Sequence, residues 1–223
     1  MKAKSIFNTL LVAGAVSLTL AMPAQATLQA RDLDGINGTD AFYDTTLDIT
    51  WLRNANVNGA MTWADAKAWA EGYSFGGYTD WRLPTTLQPD SSCSYSYSDP
   101  TGTVSYGYNC TGSEMGHLWY TDLGNTAGSM TNTGDFQYVQ SGVYWSGTEY
   151  APLPFSNFAW YFYTSNGFQS AYDEDYQFYA LAVRPGDVAA ASVPEPETLL
   201  LAFTALAGLG LTRRRQTVGS LAI

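Results

Sequence analysis

Gly77-Tyr78-Thr79-Asp80-Trp81-Arg82-Leu83-Pro84-Thr85 is the stretch on which the reading of the fold turns. Trp81, Arg82 and Leu83 read as a short strand that ends where Pro84 removes the backbone donor a ladder needs. Alternation sends Trp81 and Leu83 to one face and Arg82 to the other. In so acidic a chain, Arg82 is expected to form a structural ion pair with one of the carboxylates.

Working outward, the spacing predicts a helix on each side of this block. Thr62 with Asp65 three residues on is a capping pattern, Trp63, Ala66, Trp69 and Ala70 make one apolar face, and Gly72 marks the stop. Thr111 with Glu114 repeats that pattern, Met115, Leu118, Trp119 and Leu123 fall at helical spacing, and Gly124 ends the run. Strands are expected at Ala41 to Tyr43, Ile49 to Leu52, Trp81 to Leu83, Val143 to Ser146 and Leu181 to Arg184. Later, Phe158, Trp160 and Phe162 alternate, and Asn166-Gly167 carries the residues of a tight type I′ turn before Phe168. The expected class is α+β, a mostly antiparallel sheet with two short helices.

Both ends of the chain read as targeting segments. Lys2 and Lys4 precede an apolar stretch from Leu10 to Ala21, and Ala24-Gln25-Ala26 offers the small residues, Ala24 and Ala26, that signal peptidase requires, so residues 1–26 read as a signal peptide. At the other end Pro194-Glu195-Pro196 is followed by an apolar run from Leu199 to Leu211 and by Arg213-Arg214-Arg215. A helix over 198–211 would span about 21 Å, short against a hydrocarbon core of about 30 Å. The arginines would hold its end in the cytoplasm and leave the folded part outside. Between these segments, residues 27–192 form one domain, and 216–223 are a short tail.

Within 27–192 five basic residues face 18 acidic ones, a net charge of −13. Such a surface repels phosphate backbones, which excludes nucleic acid and leaves cations and neutral sugars as partners. Seven tryptophans, 16 tyrosines and 10 phenylalanines in the whole chain supply a core without a large aliphatic content. Cys93 and Cys110 are the only cysteines, and an oxidising compartment with an even count favours a disulfide between them.

Candidate chemistry is sparse. Asp32 and Asp34, with Asp40 further on, present the alternating oxygens that Ca²⁺ prefers, although the twelve-residue loop with its terminal glutamate is missing; a solvated acidic turn is the alternative. Asp173-Glu174-Asp175 is a second acidic cluster. His117, the lone histidine, sits at a helical position beside Leu118 and Trp119, and no serine lies in a Gly-x-Ser-x-Gly elbow. No zinc spacing, phosphate loop or dinucleotide fingerprint occurs. The expectation is that the protein is not an enzyme.

Two resemblances follow from these residues. Pro194, Glu195 and Pro196, the short hydrophobic stretch and the arginine cluster together, over 193–215, resemble the PEP-CTERM sorting signal. That resemblance implies transient insertion in the inner membrane, processing by the membrane protease exosortase, and delivery to the cell surface or the extracellular matrix. Thr62-Trp63-Ala64-Asp65-Ala66, the block from Gly77 to Thr85, Tyr144-Trp145-Ser146-Gly147-Thr148-Glu149 and Ala180-Leu181-Ala182-Val183-Arg184 resemble the Lcl C-terminal domain family. Ser113-Glu114-Met115-Gly116-His117-Leu118 and Leu123-Gly124-Asn125 match the variety often found ahead of such tails. This likeness, from about Asp40 to Val188, implies a C-type-lectin-like fold and the glycan binding or adhesion of better-known members. By the same analogy Trp160, Asp173, Glu174 and Asp175, late in the chain, would face a sugar or an ion. Many members carry an acidic residue and a leucine soon after the Pro-Thr, where this chain has Thr86-Leu87-Gln88-Pro89. A carbohydrate-binding or adhesion module is thus the leading expectation. A structural biofilm-matrix protein without a specific ligand comes next, and a sugar-acting enzyme last.

Overall fold

The computed structural model describes residues 28–36, 38–99, 102–150 and 157–188. The expected signal peptide with Ala24 and Ala26, the sorting motif Pro194, Glu195 and Pro196, and the expected C-terminal hydrophobic helix lie outside these residues. In chain order the elements are β1 (Leu28–Arg31), β2 (Ala41–Asp44), β3 (Ile49–Leu52), α1 (Trp63–Gly72), β4 (Tyr95–Asp99), β5 (Gly102–Tyr106), α2 (Glu114–Gly116) running on as a π-helical segment (His117–Asp122), β6 (Val143–Glu149), β7 (Phe158–Tyr163), β8 (Phe168–Asp173) and β9 (Val183–Pro185). The strands make antiparallel sheets ordered β1-β2-β3-β9, β4-β5 and β6-β7-β8. The α+β class with mostly antiparallel sheets and two short helices is observed.

The Trp81-Arg82-Leu83 block forms a single antiparallel bridge rather than a strand. Arg82 and Val183 exchange backbone hydrogen bonds of 2.8 and 2.9 Å, after which Pro84 can donate nothing. Instead its carbonyl accepts from the Gly147 amide at 2.8 Å and the Ser146 hydroxyl at 2.9 Å, so the block turns from the first sheet to the third. Trp81 and Leu83 are buried, while Arg82 grips both carboxylate oxygens of Glu114 at 2.7 Å. Glu114 also accepts from the Thr85 amide at 2.7 Å.

Helix α1 begins as its sequence predicts: Thr62 Oγ1 accepts from the Asp65 amide, and Ala66 and Ala70 are buried. The second helix differs. Its N-cap is Ser113 rather than Thr111, with no side-chain cap bond, because Glu114 is drawn to Arg82 instead of back onto the helix start. Gly116 has no room for a side chain: a Cβ there would run into the Cys110 carbonyl. From His117 the helix widens to i→i+5 bonding, with the Leu123 amide reaching Leu118 O at 2.9 Å.

Other corrections concern turns and edges. Tyr163 pairs with Phe168, so residues 164–167 form a four-residue connection and not a two-residue type I′ turn. Only Gly167 has positive φ (+83°), and a Cβ on it would press into the Trp119 ring. The last strand starts at Val183 rather than Leu181, and the residues just before Leu181 pair elsewhere: Phe178 bridges Met61 and Tyr179 bridges Tyr144. Strand β1 and the hairpin β4-β5 appear where no strand is predicted.

The Arg82–Glu114 pair joins the signature block to the second helix through two charge-assisted bonds, half shielded from water. Arg82→Ala should therefore leave Glu114 without its partner and lower stability by about 2–3 kcal/mol, measured by urea unfolding. Glu114→Gln should be milder, and a double-mutant cycle should return a favourable coupling.

Candidate functional site

An open concavity lies between the hairpin β4-β5 and one face of β7-β8. It encloses about 330 Å³. The floor is Trp160, which the register places beside Ala171, with Phe158 next along the strand. One wall is the hairpin, where Tyr97 sits opposite Val104 and Tyr95 opposite Tyr106. Tyr150 closes one end, its ring 5.4 Å from that of Trp160.

The rings have different jobs. Trp160 is only 2% exposed, so its indole is packed floor and not a free stacking platform. Tyr97 is 57% exposed and offers both an apolar face and a hydroxyl. The sequence brings out Trp160 and misses Tyr97, although Tyr95-Ser96-Tyr97-Ser98 has the period-two pattern of a half-exposed strand.

The hairpin is held from three directions. Gln88 pairs with the Ser105 backbone like a strand residue, its amide donating to Ser105 O at 2.8 Å and its carbonyl accepting from Ser105 N at 2.7 Å. Thus the distinctive Thr86-Leu87-Gln88-Pro89 segment braces the cleft wall. Gly107 exchanges two 2.8 Å backbone bonds with Gln169 of β8. Cys93 and Cys110 form the expected disulfide, with Cα atoms 4.2 Å apart. Asp90 organises the same loop, accepting from the Ser92 amide at 2.9 Å and the Gly112 amide at 2.9 Å.

Of the acidic residues singled out in the sequence, Asp173 lies opposite Phe158 and so on the cleft face of β8. Its Oδ1 accepts from the Asp175 amide at 3.0 Å, while Asp175 itself is exposed. Glu174 is tied by its backbone to Asn157 and to Trp63 at the start of α1. Burial, then the neighbouring Glu149, Asp173 and Asp175, push its carboxyl above the usual range. Of the three, Asp173 alone is placed on the cleft face by the register, while Glu174 neighbours Glu149 and Lys67 of α1.

Asp32, Asp34 and Asp40 do converge, with oxygens within 4.8 Å of one another. Each also accepts from a backbone amide: Gly35 to Asp32 at 2.7 Å, Ile36 to Asp34 at 2.8 Å and Leu33 to Asp40 at 2.9 Å. Such bonds are those of an acidic turn holding its own shape.

A further group, absent from the sequence reading, is internal. Asp44, His117 and Asp122 bring ligand-type atoms within 4.8 Å of one another. The Asp122 carboxyl is pushed up to about 7 by burial and then by Asp44 beside it. An α-helical reading hides this cluster, because positions five apart fall on faces about 140° apart at 100° per residue.

The architecture and site together define a small α+β domain with an aromatic cleft. Residues 40–184 match the Lcl C-terminal domain, and the chain belongs to that family. Residues 192–215 match the PEP-CTERM protein-sorting motif, which marks the chain as an exported protein processed by exosortase and destined for the surface or extracellular space. No curated protein matches the chain. Among the described residues no helix is long and apolar enough to cross a membrane.

Because the disulfide closes a 17-residue separation in the loop that carries the cleft wall, replacing Cys93 and Cys110 by serine should cost about 3 kcal/mol. Urea unfolding checks the magnitude. Alkylation of the unreduced exported protein should label neither cysteine.

Proposed function

We propose that the domain is a carbohydrate-binding module, C-type-lectin-like in its role, that holds exopolysaccharide or another surface glycan in the cleft between the hairpin and β7-β8. The observation that carries this reading is the cleft itself: an open volume of about 330 Å³ walled by Tyr97, Tyr106, Tyr150 and Phe158 over a Trp160 floor. Sugar rings present apolar C–H faces that stack on aromatic rings and hydroxyls that donate to carboxylates. Asp173, on the cleft face of β8, offers such an acceptor, and the net negative charge favours neutral polymers over anionic ones. The reading includes binding without turnover. It also fits the exosortase signal, since a surface protein of this kind meets polysaccharide first.

The test is a glycan array followed by titration of the purified, oxidised exported protein with exopolysaccharide fragments, with and without Ca²⁺. Saturable binding is expected. Tyr97→Ala should weaken it about five-fold, the equivalent of about 1 kcal/mol of ring stacking, and Tyr138→Ala, outside the cleft lining, should not. Loss of binding on chelation, reproduced by Asp32→Asn or Asp34→Asn, would assign Ca²⁺ to the acidic turn. Polymer association without saturation, unaffected by Tyr97→Ala, would make the protein a structural matrix component instead.

The tail generates its own test. Intact-mass measurement of the protein recovered from the surface of the producing cell should show a chain that has lost Arg213-Arg214-Arg215, and a chain retaining them would mean that exosortase had not acted.

A further inference from the structure

Among the described residues, six buried side-chain polar atoms have no hydrogen-bond partner, and four of them sit together: Asp44 Oδ2, His117 Nε2 and both oxygens of Asp122. Asp44 is 1% exposed, and the side chains of Asp122 and His117 are 1% and 12% exposed. Buried polar groups are almost always satisfied, so a convergence of orphans points to something that satisfies them jointly.

No basic side chain of the domain can do so. Arg31 pairs with Asp187, Arg82 with Glu114 and Arg184 with Asp80. Arg53 is spent on the carbonyls of Asp135 and Thr39, and Lys67 lies over the Trp63 ring. A single proton shared between Asp44 and Asp122 would occupy Asp44 Oδ2 and one Asp122 oxygen and leave the other Asp122 oxygen and His117 Nε2 orphaned. His117 Nε2 stands 3.7 Å from Asp122 Oδ1, longer than a hydrogen bond.

The local structure is arranged to hold these atoms in place. Asp44 Oδ1 accepts from the Thr46 and Leu47 amides at 2.8 and 3.0 Å, which fixes the carboxylate and frees Oδ2. The π-helical segment His117–Asp122 brings its first and last residues to one side, as an α-helix would not. Widened turns of this kind recur at functional sites.

We propose that Asp44, His117 and Asp122 form a buried binding site for one divalent transition-metal ion of the zinc class. Two carboxylate oxygens and one imidazole nitrogen are a zinc-type donor set, and bonds of about 2.0–2.2 Å at tetrahedral angles separate donors by about 3.4 Å. The 3.7 Å between His117 and Asp122 needs only a few tenths of contraction. Calcium, which takes six to eight oxygens, is poorly served by three donors. The ion ties β2 to the second helix beneath the core formed by Phe42, Trp51, Leu118 and Trp119.

The test is elemental analysis of the exported protein, purified without chelators or metal-affinity resin, followed by stripping and titration with Zn²⁺ and, separately, Mn²⁺. About one equivalent of metal is expected, with a melting temperature that falls on stripping and recovers at one equivalent of Zn²⁺. His117→Gln and Asp122→Asn should each abolish stoichiometric uptake, whereas Asp32→Asn should retain it. If the variants do not fold, the stripped and refilled wild-type protein still decides. No stoichiometric uptake with an unchanged melting temperature would overturn the proposal. So would full uptake by the His117 and Asp122 variants, or an Asp122→Asn protein that melts higher than the wild type in metal-loaded buffer.

Discussion

The strip of backbone from Phe178 to Pro185 is the element to which the two larger sheets are both hydrogen bonded. On one side Tyr179 exchanges bonds of 2.9 Å with β6, through Val143 and Trp145; a few residues later Val183 lies between Trp51 of β3 and Arg82 of the signature block. Ala180, Leu181, Ala182 and Val183 are all buried, which explains why the strip is small and apolar and reads as a continuous run rather than an alternating one. Neither sheet could shift against the other without breaking bonds on this strip. Buried backbone groups left unpaired are expensive, so the strip sets the relative placement of everything attached to it.

Much of this was legible in local patterns, and the reasons for the misses are specific. Thr62-x-x-Asp65 fixed a helix start because the capping bonds are local. The same spacing at Thr111 misled because Glu114 was claimed by Arg82, 32 residues away, and no local rule sees that competitor. Trp81 to Leu83 read as a strand because its alternation is right; Pro84 then limits pairing to one bridge. The hairpin β4-β5 is harder to read because its period-two face is made of tyrosines in a Ser/Tyr/Gly-rich stretch without aliphatic residues in β4, and Gln88 and Gly107 dock it from outside. The site followed the same rule. Trp160 was conspicuous by type but serves as floor, whereas Tyr97, one of 16 tyrosines, owes its exposure to a tertiary arrangement.

The cleft depends on that docked hairpin, so its shape rests on contacts far from its own lining. The disulfide and Asp90 shape the loop at the base of the hairpin, and Gln88 and Gly107 fasten its side to the rest of the domain. Such bracing favours a preformed aromatic wall, its geometry set before anything enters the cleft. Within that wall Tyr97, midway along β4, stays exposed although Val104 opposite it is buried.

The internal cluster links the cleft to the core by a short path. The second helix contributes His117 and Asp122 to the cluster and Trp119 to the core. Trp119 donates to Thr164 O at 2.9 Å and packs against Gly167, in the connection between β7 and β8. The same two strands form the cleft floor. Whatever neutralises Asp44 and Asp122 therefore also fixes the pitch of the helix on which that connection leans. A π-helical segment has weaker internal bonding logic than an α-helix and persists where surrounding contacts over-determine it. Here those contacts are the orphaned carboxylates on one side and the glycine-permitted fit of Trp119 on the other. Stability at the heart of the domain and rigidity of the cleft floor thus rest on one helix turn.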